Sequence, residues 1–258
     1  MLKQTFFFLP GFGLELEKYL WQQGCQDWDH FLEKSDQFDT KSAPKELALE
    51  MLYQAKLALE DRNFSFFERA LNPANTWRAW PDFQENCVYL DIETNGIYLD
   101  SLVTVIGLYD GKIEKCLVKG KDLESFPELI SKYAMIVTFN GTSFDLPMLK
   151  RAFPKISFNQ IHLDLCYVLR NLGYKGGLKK IEKQLGIFRD ESLAELTGRD
   201  AVRLWQNYLL GSKDALGILC AYNLEDVKNL EYLSKIAYDG HKSRLFEKVP
   251  ALNQLTNQ

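Results

Sequence analysis

Cysteine is scarce in the 258-residue chain: Cys25, Cys87, Cys116, Cys166 and Cys220 are widely scattered, form no C-x-x-C pair, and are accompanied by only three histidines. That pattern argues against a structural zinc site or a disulfide scaffold, and it predicts reduced thiols in a cytoplasmic protein. Long apolar runs are missing too. Nothing approaches the ~20 residues a membrane span needs, and the opening Met1–Pro10 is too short and soon too polar for a secretory signal, so no membrane partner is expected. Positive charge is in deficit, with 31 Lys and Arg against 35 Asp and Glu. A net charge of −4 argues against a protein that grips nucleic acid over its whole surface. Internal repeats and low-complexity tracts are absent as well.

What is present is a core. With 46% hydrophobic and 13% aromatic residues the chain has ample material to bury. The acidic excess sits in residues 1–86, and the rest is close to balance. From Leu14 to about Phe67 apolar residues recur at helical spacing with few β-branched residues between them, so 1–71 is read as a small all-α domain. The turn residues Asn72 to Thr76, followed by Trp77, Trp80 and Pro81, predict a linker over 72–86.

After Cys87 the texture becomes strand-like. Val88–Ile92, Leu102–Tyr109 and Ile113–Val118 read as three strands, the last two joined by the hairpin signal Asp110-Gly111. A helix over 123–133, a buried strand Met135–Phe139, a helix over 144–153 and a short strand near Ile161–Leu163 follow. Helices interrupted by glycines then run from Cys166 to about Tyr238. This order predicts an α/β domain over 87–240: a three-strand antiparallel meander extended by parallel strands, flanked by helices. Residues 241–258 read as a polar tail.

Three segments carry carboxylates in suggestive places. In Leu90-Asp91-Ile92-Glu93-Thr94, strand alternation sends Asp91 and Glu93 to one side and Leu90 and Ile92 to the other. Two carboxylates held that close repel each other. A divalent cation with all-oxygen ligands, Mg²⁺ or Mn²⁺, relieves the repulsion. In Asn140-Gly141-Thr142-Ser143-Phe144-Asp145 a buried strand ends and a helix opens, placing Asn140 and Asp145 at the carboxyl edge of a sheet. In Tyr222-Asn223-Leu224-Glu225-Asp226 the tyrosine and the last aspartate lie one helical turn apart. Taken singly, each segment reads better as an ordinary strand end, helix cap or exposed helix face than as a site.

In this order, the combination resembles the DEDD superfamily of 3′-to-5′ exonucleases with a ribonuclease H-like fold, in the branch with tyrosine in the last motif, and is most similar to YprB-like exonuclease domains. The similarity runs from about Cys87 to about Tyr238 and includes Ile161-His162-Leu163-Asp164 and Gly177–Glu182. It implies that Asp91, Glu93, Asp145 and Asp226 hold two divalent metals, Mg²⁺ or Mn²⁺, and that Tyr222 orients the attacking water. The implied activity is hydrolysis of single-stranded DNA or RNA from its 3′ end to nucleoside 5′-monophosphates by a two-metal mechanism. The alternatives are an endonuclease on the same fold or a catalytically silent nucleic-acid-binding or scaffold module.

Contacts to the substrate strand are less sharply marked. Thr94 and Asn95 follow the acidic pair and are candidates for hydrogen bonds to the terminal nucleotide. Phe144 either wedges against a base or packs in the core. Lys175, Lys179, Lys180 and Lys183, set against the single Glu182, form either a phosphate contact or a solvated helix face. His162 reads as a structural hydrogen-bonder and Asp164 as a supporting group behind the ligands. Leu9-Pro10-Gly11-Phe12-Gly13 is similar to the second half of a helix-hairpin-helix unit. The eight residues before it are too few for a first helix, and Glu15 and Glu17 would repel phosphate. Packing or docking of a protein partner is therefore the expected role of the amino-terminal domain.

Overall fold

The computed structural model describes residues 1–96 and 101–247. They form two compact units, one of Met1–Asp82 with the segment from Tyr238 onward, the other Phe83–Ala237.

The first unit is helical: α1 (Leu14–Gln22), α2 (Trp28–Glu33), α3 (Lys45–Glu60) and α4 (Phe64–Ala70). Helix α3 buries Ala48, Leu52, Ala55 and Ala58, a single stripe at three- and four-residue spacing. The G-x-G segment packs inward. Phe12 lies against Phe31 at 6.1 Å between ring centroids. Glu17 is buried, accepts the Phe6 and Phe7 amides at 2.6 and 3.1 Å, and pairs with Arg78 at 2.8 Å. Residues ahead of the turn supply only the short 3₁₀ turn Leu2–Gln4.

The stretch read as a linker is folded instead. Pro73–Ala79 is a 3₁₀ helix opened by its proline, α5 spans Trp80–Phe83, and Asn75 to Ala79 are all buried. Proline at the first helical position suits a helix start, so the same turn residues that break a helical period here begin one. Trp77 stacks on His241 at 5.0 Å and Trp80 packs on Tyr238 at 6.0 Å. The expected tail is corrected in the same way, because helix continues through Gly240 to Glu247 and Phe246 is buried against Trp21. The rest of that tail, residues 248–258, lies outside the described residues.

The second unit holds a five-stranded mixed sheet of order β3-β2-β1-β4-β5. Strands β1 (Cys87–Thr94), β2 (Val103–Tyr109) and β3 (Glu114–Val118) form the antiparallel meander. Strands β4 (Met135–Thr138) and β5 (Ile161–Asp164) run parallel to β1. Helices α6 (Phe126–Ile130), α7 (Asp145–Ala152), α8 (Leu165–Asn171), α9 (Leu178–Leu185), α10 (Glu191–Ala194), α11 (Gly198–Leu209) and α12 (Lys213–Glu247) complete it. This is the mixed α/β architecture expected from the sequence, with an all-helical region before β1.

Alternation along β1 divides the core. Val88, Leu90 and Ile92 pack with Phe126, Ile130, Met148 and Leu149 from α6 and α7. A second cluster joins Val105 and Val118 to Trp205 of α11 and to Leu216, Leu219 and Tyr222 of α12. Cys116 of β3 and Cys220 of α12 form a disulfide, a correction to the expectation of reduced thiols. Sequence spacing hid this pairing, since 104 residues separate two cysteines whose Cα atoms the fold brings to 5.9 Å.

Candidate active site

The site forms between β1 and α12. Helix α12 buries Leu219, Tyr222, Asn223, Asp226, Val227 and Leu230, a spacing of three and one that turns a single face toward the sheet. Asp91 and Glu93 alternate out of β1, and with Asp226 they place carboxylate oxygens within 4.8 Å of one another. At about 4 Å two unit charges repel by about 4 kcal/mol at an effective dielectric near 20, so three ionised groups here need a counter-charge. Burial, then the neighbouring carboxylates, pushes Asp91 and Glu93 well above the ordinary range. Burial also raises Asp226 to about 6, opposed by the adjacent Arg189.

Asp145 begins α7, and its Oδ1 accepts the Ile92 amide at 3.2 Å, which sets it against β1 between the paired acids. Burial pushes it up to about 7. Its position depends on the turn before it. Asp164 at the end of β5 accepts the Asn140 amide at 2.8 Å and the Thr142 amide at 3.0 Å, and it caps α8 through Cys166 at 3.1 Å. Asn140 adopts a φ of 65°, a conformation that asparagine tolerates better than most residues. Gly141 is pressed against Thr138, where a Cβ would collide with that side chain. Thr138 in turn shares a hydrogen bond with His162 at 2.9 Å, the structural role expected of that histidine.

Tyr222 is buried beside Asp226, Glu93 and Asp91, and desolvation together with their charge drives its phenol pKa upward. The phenol is therefore a neutral hydrogen-bonding group at any ordinary pH.

Other expected contacts fall differently. The Thr94 hydroxyl donates to the Gly96 carbonyl at 2.6 Å, and Asn95 Oδ1 accepts the Leu102 amide at 2.7 Å, so both side chains are taken up by backbone groups near the end of β1. Phe144 is 40% exposed at the mouth of α7 and belongs to neither core cluster. Lys175 and Lys180 are exposed. Lys179 is half-buried: its ammonium caps the carbonyls of Leu193, Ala194 (3.1 Å) and Leu196 and lies 4.9 Å over the Tyr222 ring.

Sequence reasoning missed three residues. Asn223 is fully buried and donates through Nδ2 to Asp91 Oδ2 at 2.8 Å. Gly107 of β2 pairs with Asp91, and a Cβ there would collide with the Asn223 amide, so glycine makes the room. Glycine directly after four β-branched residues of a strand was the available signal. Arg189 is the third: it reaches Glu182 at 2.6 and 2.8 Å and Asp226 at 2.5 Å, and no motif marks it.

A family model described as the RNase_H superfamily matches residues 88–238, more than half of the chain, and the chain belongs to that family. No curated protein matches. Among solved structures, the family B DNA polymerase from the hyperthermophilic archaeon Pyrobaculum calidifontis is similar at 16% identity and a TM-score of 0.48, over 58% of this chain and 24% of that one. This chain thus spans about a quarter of that polymerase's length. The Aedes aegypti Nibbler EXO domain is similar at 13% identity and a TM-score of 0.34, over 70% of this chain and 85% of that one. Among the described residues no helix is long and apolar enough to cross a membrane.

Proposed function

We propose that the protein is a metal-dependent 3′-to-5′ exonuclease of the tyrosine branch, acting on single-stranded DNA or RNA. One observation carries this reading: three carboxylates from β1 and α12, Glu93 and Asp226 buried and Asp91 half-buried, converge within 4.8 Å, with Asp145 beside them and Tyr222 at their edge. The donor set fits the group, because an all-oxygen cluster suits Mg²⁺ or Mn²⁺ and its charge calls for a cation. Asp91, Glu93, Asp145 and Asp226 would hold two such ions. When bound, the cations supply Lewis-acid activation of water and compensation of charge on the scissile phosphate.

The chain's own residues supply the positioning. Asp91 and Glu93 sit on a central strand, so their separation is fixed by backbone geometry. Tyr222, kept neutral, orients the attacking water by donating or accepting a hydrogen bond and leaves the transfer of the proton to other groups. Phe144 stands exposed where the last base of a strand would rest, and aromatic stacking tolerates any base. The amino-terminal helical unit, with its inward-packed glycine turn, is assigned to docking a protein partner.

The test compares a 5′-labelled linear oligonucleotide with a circular one, in Mn²⁺, for DNA and RNA separately. A ladder of shortening products and nucleoside 5′-monophosphates from linear strands, with circles untouched, is expected. Cleavage of circles would assign the site to an endonuclease.

A further inference from the structure

The segment after α9 is fastened to the last motif at consecutive residues. Helix α9 ends at Gly186, which adopts the left-handed conformation (φ 72°), and the Ile187 amide returns to the Glu182 carbonyl at 2.9 Å, turning the chain toward α12. There the Asp190 amide donates to Glu225 at 2.7 Å and the Arg189 guanidinium reaches Asp226 at 2.5 Å. The same guanidinium forks onto both oxygens of Glu182, at 2.6 and 2.8 Å, and Asn229 of α12 donates to Glu182 at 3.0 Å. Arg189 and Glu182 are 4% and 1% exposed, so this is a buried chain of contacts. Its link to Asp226 is an ion pair through Oδ1, which accepts no hydrogen bond and so keeps its lone pairs.

We propose that Arg189 is a positioning residue for the metal site: anchored by Glu182, it fixes the rotamer of Asp226 and thereby sets the affinity for the divalent cation. A lone countercharge could be supplied by lysine. A planar fork that binds Glu182 twice while pairing by charge with Asp226 at 2.5 Å could not. The proposal rests on the reading of the carboxylate cluster as a metal site, and it reaches beyond that reading to Arg189, which no motif contains.

The experiment titrates Mn²⁺ into the purified protein, following free Mn²⁺ by electron paramagnetic resonance, for the unmodified chain, Arg189→Lys and Glu182→Gln. Arg189→Lys keeps the charge, so a change in affinity reports geometry. The expected loss is about 10- to 100-fold, the usual consequence of removing a group that orients a metal ligand. Glu182→Gln keeps the shape of the anchor and one acceptor, and a smaller loss is expected with the thermal midpoint little changed. This second variant decides the matter if Arg189→Lys does not fold. The Mn²⁺ concentration for half-maximal hydrolysis should rise in parallel, whereas the rate at saturating Mn²⁺ should fall far less. Unchanged Mn²⁺ affinity in both folded variants would overturn the proposal, and tighter binding would make Arg189 a competitor of the cation instead. No Mn²⁺ binding by the unmodified protein would instead remove the metal site itself.

Discussion

Asn223 Nδ2 donates to Asp91 Oδ2 at 2.8 Å, joining positions 132 residues apart in the chain and fastening α12 to the first acidic residue of β1. The amide sits over Gly107, so helix, two strands and one carboxylate are registered together. Replacing Asn223 with Ala leaves Asp91 without this donor, and hydrolysis should fall about 10- to 100-fold, as for other groups that orient a metal ligand. Gly107→Ala should act through the same contact by pushing the amide away. Rates for the two variants at matched Mn²⁺ check this. Wild-type turnover in Gly107→Ala would show that the close approach has no functional weight.

The metal-free protein should lose stability as pH rises from about 4 to about 7. Asp145 is raised to about 7 and Asp226 to about 6, against an ordinary value of 3.8, so in that window the native state holds protons that the unfolded chain has released. Stability then falls with pH, the reverse of the usual carboxylate effect. Melting curves in chelator should show a larger decline across this window for the unmodified protein than for Asp145→Asn. Identical pH slopes would mean that Asp145 titrates normally.

Tyr222→Phe tests the role of the phenol. Its pKa is pushed above the ordinary 10, so it cannot serve as a base near neutrality. A decrease of about 10- to 100-fold in turnover is expected, at or below the range for a positioned acid–base group, with Mn²⁺ affinity nearly unchanged. Inactivity equal to that of Asp226→Ala would contradict a purely orienting role.

The lysine run divides into two kinds of residue. Lys175→Gln with Lys180→Gln should reduce the slope of log affinity against log salt for any strand, because both are exposed and phosphate contacts carry no base information. Lys179→Gln should instead lower the thermal midpoint, since its ammonium caps three carbonyls around α10. A salt slope unaffected by the first pair would leave those lysines as plain solvated surface.

Much of this arrangement was legible because it depends on local periodicity. Alternation on a strand put Asp91 and Glu93 on one side, and helical spacing put Tyr222 and Asp226 on one face, as found on β1 and α12. The antiparallel meander and its parallel extension followed from a hairpin turn and alternating elements. What stayed hidden depends on tertiary proximity. Arg189 meets Asp226 only after the chain reverses at Gly186, and Cys116 meets Cys220 only when β3 comes beneath α12. Residues 72–86 misled for another reason: Asn-Pro and tryptophan mark a turn, yet burial of Trp77 and Trp80 decides that the turn becomes a packed 3₁₀ helix. The helix through Gly240 shows the same override, since one glycine costs only about 1 kcal/mol against an otherwise continuous helix.

The central claim is that the carboxylates of β1 and α12 form a metal-dependent nuclease site. Its most direct test is hydrolysis of labelled single-stranded DNA and RNA by the purified protein with Mn²⁺ and with chelator, beside Asp91→Ala confirmed folded by its melting curve. The account predicts Mn²⁺-dependent shortening of at least one substrate, abolished in Asp91→Ala. Hydrolysis that persists in chelator, or in the folded Asp91→Ala protein, would contradict it.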